Sequence, residues 1–268
     1  MKNSDYFTLA NGVTIPAIGF GTWQIPSGEV AYNSVREALN AGYRHIDTAQ
    51  AYGNEASVGE AILDSGIDRS EIFVTSKLPA EIKSYEKAVK HAALTMKNIG
   101  LNYIDLYLIH APWPWSEMGA NYSRENIEVW KAMEEFYDSG KARSIGISNF
   151  NVRDTDAILD NCRIRPMVNQ IKLHPGHSQE EITAHCRKNG ILVEGYSPLA
   201  TGRLLDNGEI ARIAAKYGKS VAQLSIRYVM QKGALPLPKS VHPEYIRQNF
   251  DVSFEISDDD ISRLDSLK

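Results

Sequence analysis

Little in these 268 residues belongs to the extremes of protein composition. There are only two cysteines, Cys162 and Cys186, too few for a disulfide framework and not spaced as a paired thiol motif, which suits a reducing cytosol. No stretch approaches the roughly twenty apolar residues of a membrane helix. The opening Met1-Lys2-Asn3-Ser4-Asp5 lacks the apolar core of a signal peptide. A cytoplasmic chain is expected. Lysine and arginine form no block and the net charge is −4, so neither nucleic acid nor a membrane surface is the expected partner. Any anion must be held by local positive charge. Metal ligation is not expected either: His174-Pro175-Gly176-His177 reads as a loop, and His185 and Cys186 fall on the next helix without a carboxylate partner.

What is there is alternation. A hydrophobic content of 43% can bury one large core, and barrels of this length commonly form one domain, here expected over 1–268. Phe7 to Ala10, Asn11-Gly12 and Val13 to Ile15 predict a hairpin with a tight Asn-Gly turn, a lid on one barrel end. Apolar runs then alternate with amphipathic stretches: Ala17 to Gly21, helix 28–41; Tyr43 to Asp47, helix 54–65; Ile72 to Lys77, helix 84–99; Ile104 to His110, helix 124–139. The second half continues with Arg143 to Ser148, helix 152–161; Met167 to Leu173, helix 178–189; Leu192 to Tyr196, helix 207–233 broken at Gly218; and Ala234 to Pro238, helix 243–249. A last helix starts at the Ser257 cap with the acidic turn Asp258-Asp259-Asp260. Eight strand–helix units predict an α/β fold, a (β/α)8 TIM barrel with an N-terminal β-hairpin lid. Ala111 to Tyr122, rich in tryptophan and proline, is the long aperiodic stretch and predicts a functional cover.

Asp47, Tyr52, Lys77 and His110 stand at or just beyond the ends of three successive runs, at the rim where barrel chemistry gathers. Lys77 and Asp47 alone could be a buried brace. Tyr52 adds chemistry, because a nearby cation lowers the pKa of a phenol that gives up its proton. His110 alone could be a satisfied strand-end histidine. Gly19-Phe20-Gly21 with Asp47 imitates a Rossmann fingerprint, but Gln24 replaces the third glycine and eight units exceed that sheet's six strands. The remaining strand ends carry Ser148-Asn149, Asn169-Gln170, Tyr196-Ser197 and Lys239-Ser240. Amide partners, an aromatic face and a cation are what a nicotinamide dinucleotide needs.

Phe20-Gly21-Thr22-Trp23, Tyr43 to Ala49 with Tyr52-Gly53-Asn54-Glu55, Gly146-Ile147-Ser148-Asn149-Phe150 and Pro238-Lys239-Ser240 resemble the signatures of the aldo-keto reductases, in that family's order. The likeness covers nearly the whole chain and is greatest to short bacterial members, such as the 2,5-diketo-D-gluconate reductases and methylglyoxal-type carbonyl reductases. It implies NAD(P)H-dependent reduction of aldehydes or ketones, with Tyr52 as general acid, Lys77 and Asp47 tuning it, and His110 orienting the carbonyl. It also implies NADPH, with NADH accepted, held by Gly21, Thr22, Trp23 and Asp47, and by Ser148, Asn149 and Gln170 at the carboxamide. Tyr196 would stack on the ring, Ser197, Leu199 and Gly202 would meet the pyrophosphate, and Lys239, Ser240, Val241, Tyr245 and Asn249 the adenosine end. Trp23, Tyr52, His110 and Trp113, with Trp115, would wall the substrate pocket, although the two loop tryptophans equally fit packing within the loop.

Three positions depart from the family. Tyr245 stands where an arginine usually meets the 2′-phosphate, which implies a weaker preference for NADPH over NADH. Lys172 stands where a carboxylate is common, and the end at Lys268 implies an open pocket. A small carbonyl compound is the expected partner, acted on by a monomer. Two rival readings share the fold: a barrel lyase using Lys77 as a Schiff-base amine, and a nucleotide-binding regulatory protein with little turnover.

Overall fold

The computed structural model describes residues 5–267, so Met1 to Ser4 and Lys268, on which the expectations about the chain ends partly rest, lie outside the described residues. The hairpin forms from β1 (Tyr6–Thr8) and β2 (Thr14–Pro16), with Thr8 opposite Thr14. Its turn therefore spans Leu9 to Val13, longer than the tight Asn-Gly turn expected. Gly12 N–H donates to Leu9 O (2.9 Å), and only Gly12 takes a positive φ, 84°. The reason is Asn11, whose Nδ2 donates to Arg143 O (2.9 Å) and so ties the turn to the barrel. Leu9 and Ile15 pack with Phe73, Leu106, Val168 and Leu235, the residues that begin barrel strands. The lid thus closes the end opposite the strand C-termini.

The barrel strands are β3 (Phe20–Gly21), β4 (His45–Asp47), β5 (Phe73–Leu78), β6 (Leu106–Ile109), β7 (Ile145–Ser148), β8 (Val168–Lys172), β9 (Leu192–Tyr196) and β10 (Leu235–Leu237). They pair in chain order, all parallel. Gly19 N–H to Pro236 O (3.0 Å) and Gly21 N–H to Pro238 O (2.9 Å) close the first strand region on the last. Several strands are shorter than their apolar runs, because burial on both faces extends the run beyond the paired residues. Lys77 consequently lies within β5, and Asp47 is the last residue of β4.

Around the sheet run α1 (Glu29–Ala41), α2 (Glu55–Leu63), α3 (Tyr85–Ile99), α4 (Ser123–Asp138), α5 (Val152–Leu159) and α6 (Glu180–Lys188). After β9 the expected broken helix is two, α7 (Gly208–Lys216) and α8 (Val221–Gln231). Ser220 and Gln223 form a capping box that starts the second. Then come α9 (Pro243–Phe250) and α10 (Asp258–Asp265), the latter capped by Ser257 as its sequence predicts. The main core lies between helices and sheet, where Val58, Trp130 and Ile226 meet Ile46, Tyr107 and Ile109.

One glycine sets a helix contact. A Cβ on Gly59 in α2 would lie 1.7 Å from the backbone oxygen of Ile99 at the end of α3. Gly to Ala inside a helix normally gains about 0.5–1 kcal/mol. Here the sign reverses: Gly59→Ala should cost about 1–3 kcal/mol in urea unfolding, because backbone must move to admit the methyl.

Candidate active site

Strand register brings the first charged groups together. Asp47 pairs with Thr75, and Lys77 lies two residues on, on the same face. Lys77 Nζ donates to Asp47 Oδ1 (2.7 Å) and Oδ2 (2.8 Å), to Thr48 O (2.9 Å) and to Tyr52 Oη (3.3 Å). The ammonium is fully buried. Burial alone would lower its pKa, but the nearby Asp47 carboxylate and Tyr52 oxygen carry it above the ordinary lysine value. An ammonium has no lone pair, and no donor of Lys77 is spare. The Schiff-base reading has no nucleophile here.

Tyr52 ends a single 3-10 turn, Gln50–Tyr52, followed by Gly53 with φ 69°. Asn54, fully buried, holds this loop: its Nδ2 donates to Thr22 O (3.0 Å) and Ile25 O (3.0 Å), and its Oδ1 accepts from Thr48 Oγ1 (2.7 Å). Sequence reasoning quoted Asn54 within a motif but gave it no task. The expected lowering of the Tyr52 pKa is overturned: burial pushes the phenol up, and the opposing Lys77 charge, itself partly offset by Asp47, does not overcome it. Tyr52 is therefore a neutral phenol. Because Lys77 donates to its oxygen, its own O–H points elsewhere.

His110 follows β6 directly and is T-shaped to Tyr52, with ring centroids 5.6 Å apart. Burial, helped by Lys77, takes its pKa from 6.5 down to about 3, so the imidazole is neutral. Asn149, at φ 63°, donates from Nδ2 to His110 O (2.9 Å) and accepts at Oδ1 from Tyr196 Oη (2.8 Å). Those two bonds lock the Tyr196 ring and leave Asn149 one acceptor lone pair. Ser148 donates to Gln170 O (2.8 Å). Gln170 Nε2 donates to Asp47 Oδ2 (2.9 Å) and to Glu194 Oε2 (2.7 Å). Glu194 escaped sequence reasoning, although alternation along Glu194-Gly195-Tyr196 puts it on the Tyr196 face of β9.

A cleft of about 1190 Å³ opens at the strand C-termini. Its wall includes Gly21, Trp23, Asp47, Tyr52, His110, Ser148, Asn149, Gln170 and Tyr196. Ser197, Leu199, Gly202, Lys239, Ser240, Val241, Tyr245 and Asn249 continue it. These are the predicted residues with three exceptions, of which Lys77 is fully buried and does not line the cleft. Thr22 is buried outside the wall, its Oγ1 donating to Asp47 O (3.0 Å). Trp115 lines the cleft, T-shaped to His110 at 5.5 Å, whereas Trp113 faces a neighbouring cavity of about 430 Å³. Gln24, Asn149, Ser197 and Thr201, all on the cleft wall, take positive φ without being glycine. Such strain gathers where backbone groups must face a ligand. Among the described residues, no group of three or more His, Cys, Asp or Glu could hold a metal ion, and no helix is long and apolar enough to cross a membrane.

The amides of Asn149 and Gln170, the locked Tyr196 ring and the cation Lys239 are groups that fit a nicotinamide dinucleotide, and the cleft exceeds the roughly 300–1,000 Å³ of small-molecule pockets. Residues 17–268 match the model of the aldo/keto reductase family. A glyoxal reductase of Bacillus subtilis is 40% identical over 264 residues, 98% of this chain and 92% of that protein. An aldo/keto reductase structure from Brucella melitensis superposes with a TM-score of 0.91 at 39% identity, covering 99% of this chain and 100% of that one. A Bombyx mori aldo-keto reductase in complex with NADP gives 0.87 at 34%, covering 99% and 93%.

Two buried histidines make stability depend on pH. His45, like His110, is held down to about 3 by burial, against 6.5 when free. Unfolded, each binds a proton that its folded form refuses, so their contribution is full above about 6.5 and is lost as pH falls toward 3. His110→Gln should make the fall in unfolding free energy between about pH 6 and 4 shallower by about 1.4 kcal/mol per pH unit. An unchanged slope in urea titrations would show that His110 protonates freely in the folded chain.

Proposed function

The chain belongs to the aldo/keto reductase family and is an oxidoreductase that reduces aldehydes or ketones; from that premise we propose that Tyr52 supplies the proton and that NADPH, with NADH also accepted, is the reductant. The observation that carries this reading is the Lys77 donation to Tyr52 Oη (3.3 Å), which leaves the phenol's own hydrogen for a carbonyl oxygen in the cleft. Tyr196 would hold the nicotinamide ring, and the reduced cofactor would supply the hydride for the carbonyl carbon. Neutral His110 positions the carbonyl oxygen without competing for the proton. As the phenol gives up its proton, the adjacent ammonium stabilises the phenolate, and Asp47 holds that ammonium in place. Trp23 and Trp115 give the cleft wall beside Tyr52 and His110 an apolar face. Small dicarbonyls are the first substrates to try, given the likeness to a glyoxal reductase.

Tyr52→Phe should lower kcat/KM for carbonyl reduction by at least about a hundredfold. The Kd for NADPH, read by tryptophan fluorescence, should move less than about twofold, since the lost hydroxyl serves the substrate. Retained turnover would remove Tyr52 from the chemistry.

The adenosine end supports use of both cofactors. Tyr245 is half exposed at the cleft and edge-on to His242, with ring centroids 5.5 Å apart. Arg247 does not take its place, since it pairs with Glu37 and is not on the cleft wall. Lys239, on the cleft wall, would meet a 2′-phosphate without a guanidinium fork beside it. Comparable kcat/KM with NADPH and NADH is expected, and Tyr245→Arg should raise the NADPH-to-NADH ratio about tenfold. A strong NADPH preference in the native chain would contradict this reading.

A further inference from the structure

Glu194 is fully buried in the middle of β9, yet nothing in the chemistry above uses it. Its neighbours define what it does. Gln170, paired with it across β8 and β9, donates Nε2–H to Glu194 Oε2 (2.7 Å), and the other carboxyl oxygen, Oε1, is buried without a partner. Asp47 on β4 and Lys77 on β5 are the charged groups that act on it, and Leu235 on β10 lies opposite. Gln170 donates its second Nε2–H to Asp47 Oδ2 (2.9 Å). Both Asp47 oxygens already accept from Lys77, so the group facing them from Gln170 is the N–H donor. Both hydrogens of the Gln170 amide are therefore consumed inside the barrel, and two anchors on one nitrogen fix the plane of the group.

We propose that Glu194 is a positioning residue of the cofactor site, pinning the Gln170 amide so that it presents only its carbonyl oxygen to the cleft and recognises only an N–H-bearing carboxamide. The inference rests on the reading of Gln170 as a carboxamide partner. Without Glu194 the amide keeps one anchor and can turn about it. Burial, reinforced by the Asp47 charge, pushes the Glu194 carboxyl up to about 8, so at neutral pH it is uncharged and glutamine is a close substitute.

Binding in the absence of substrate tests this. Kd values for NADPH and for its reduced 3-acetylpyridine analogue, whose acetyl group has no N–H, are measured by tryptophan fluorescence at pH 7 on the native chain and on Gln170→Met, Glu194→Met and Glu194→Gln. The native chain should prefer NADPH by about fivefold to tenfold, the worth of one hydrogen bond. Gln170→Met and Glu194→Met should both lose that preference, and Glu194→Gln should keep it. Loss in Gln170→Met alone would overturn the role of Glu194 while leaving the carboxamide contact intact. No preference in the native chain, or its survival in Gln170→Met, would overturn the contact itself and the inference with it. Equal weakening of both cofactors in Glu194→Met, or its failure to fold while Glu194→Gln folds and binds both cofactors alike, would also overturn the proposal.

Discussion

Everything at the rim of this barrel depends on the ion pair between Lys77 and Asp47. Removing two charges from water costs several kcal/mol per ion, and the attraction offsets that only when geometry and further hydrogen bonds are good. Here the ammonium spans both carboxylate oxygens and also reaches Thr48 O and Tyr52 Oη, while Gln170 supports the carboxylate from β8. No single strand could assemble that set. Closure of the sheet brings β8 within reach of β4, so the pair and the barrel require each other. A lone acid at this depth would take up a proton, and a lone amine would lose one.

From that pair the two halves of the site diverge. On one side the Lys77 hydrogen bond sets the direction of the Tyr52 hydroxyl, and the loop that carries it hangs on Asn54. On the other, Gln170, Ser148 and Asn149 pass the constraint to Tyr196, whose ring is held by its own hydroxyl. Non-glycine residues with positive φ gather on the cleft wall, at Gln24, Asn149, Ser197 and Thr201. Stability is provided elsewhere, by the helix–sheet core and by the hairpin that seals the far end with Leu9 and Ile15.

Much of this was legible in the sequence because the fold is written in alternation. Runs ending on Asp47, Lys77 and His110 predict neighbouring strand ends, and a parallel barrel brings them together. What escaped has physical reasons. Hydropathy does not reveal the depth of a residue, so burial was underweighted and the Tyr52 pKa moved opposite to expectation. Loop residues have no periodicity, hence Trp115 rather than Trp113 on the cleft. Asn-Gly predicts a tight turn, whereas Asn11 also bonds a carbonyl more than a hundred residues away, a contact no local pattern reveals. Glu194 did carry a signal, an acid on the inward face of a strand, but one without a partner visible in sequence. Its partner, Gln170, is made known only by the register of β8 and β9.

The mechanism requires Tyr52 to remain a protonated donor across the neutral range, with Lys77 donating to its oxygen rather than stripping its hydrogen. Ultraviolet difference titration of the native chain against Tyr52→Phe isolates the phenolate absorbance of this one tyrosine. With the phenol above its ordinary 10.0, no difference signal should develop between about pH 7 and 9.5. A tyrosinate signal with its midpoint below about pH 9 would mean that Tyr52 is already surrendering its proton in the resting protein, and would contradict the mechanism.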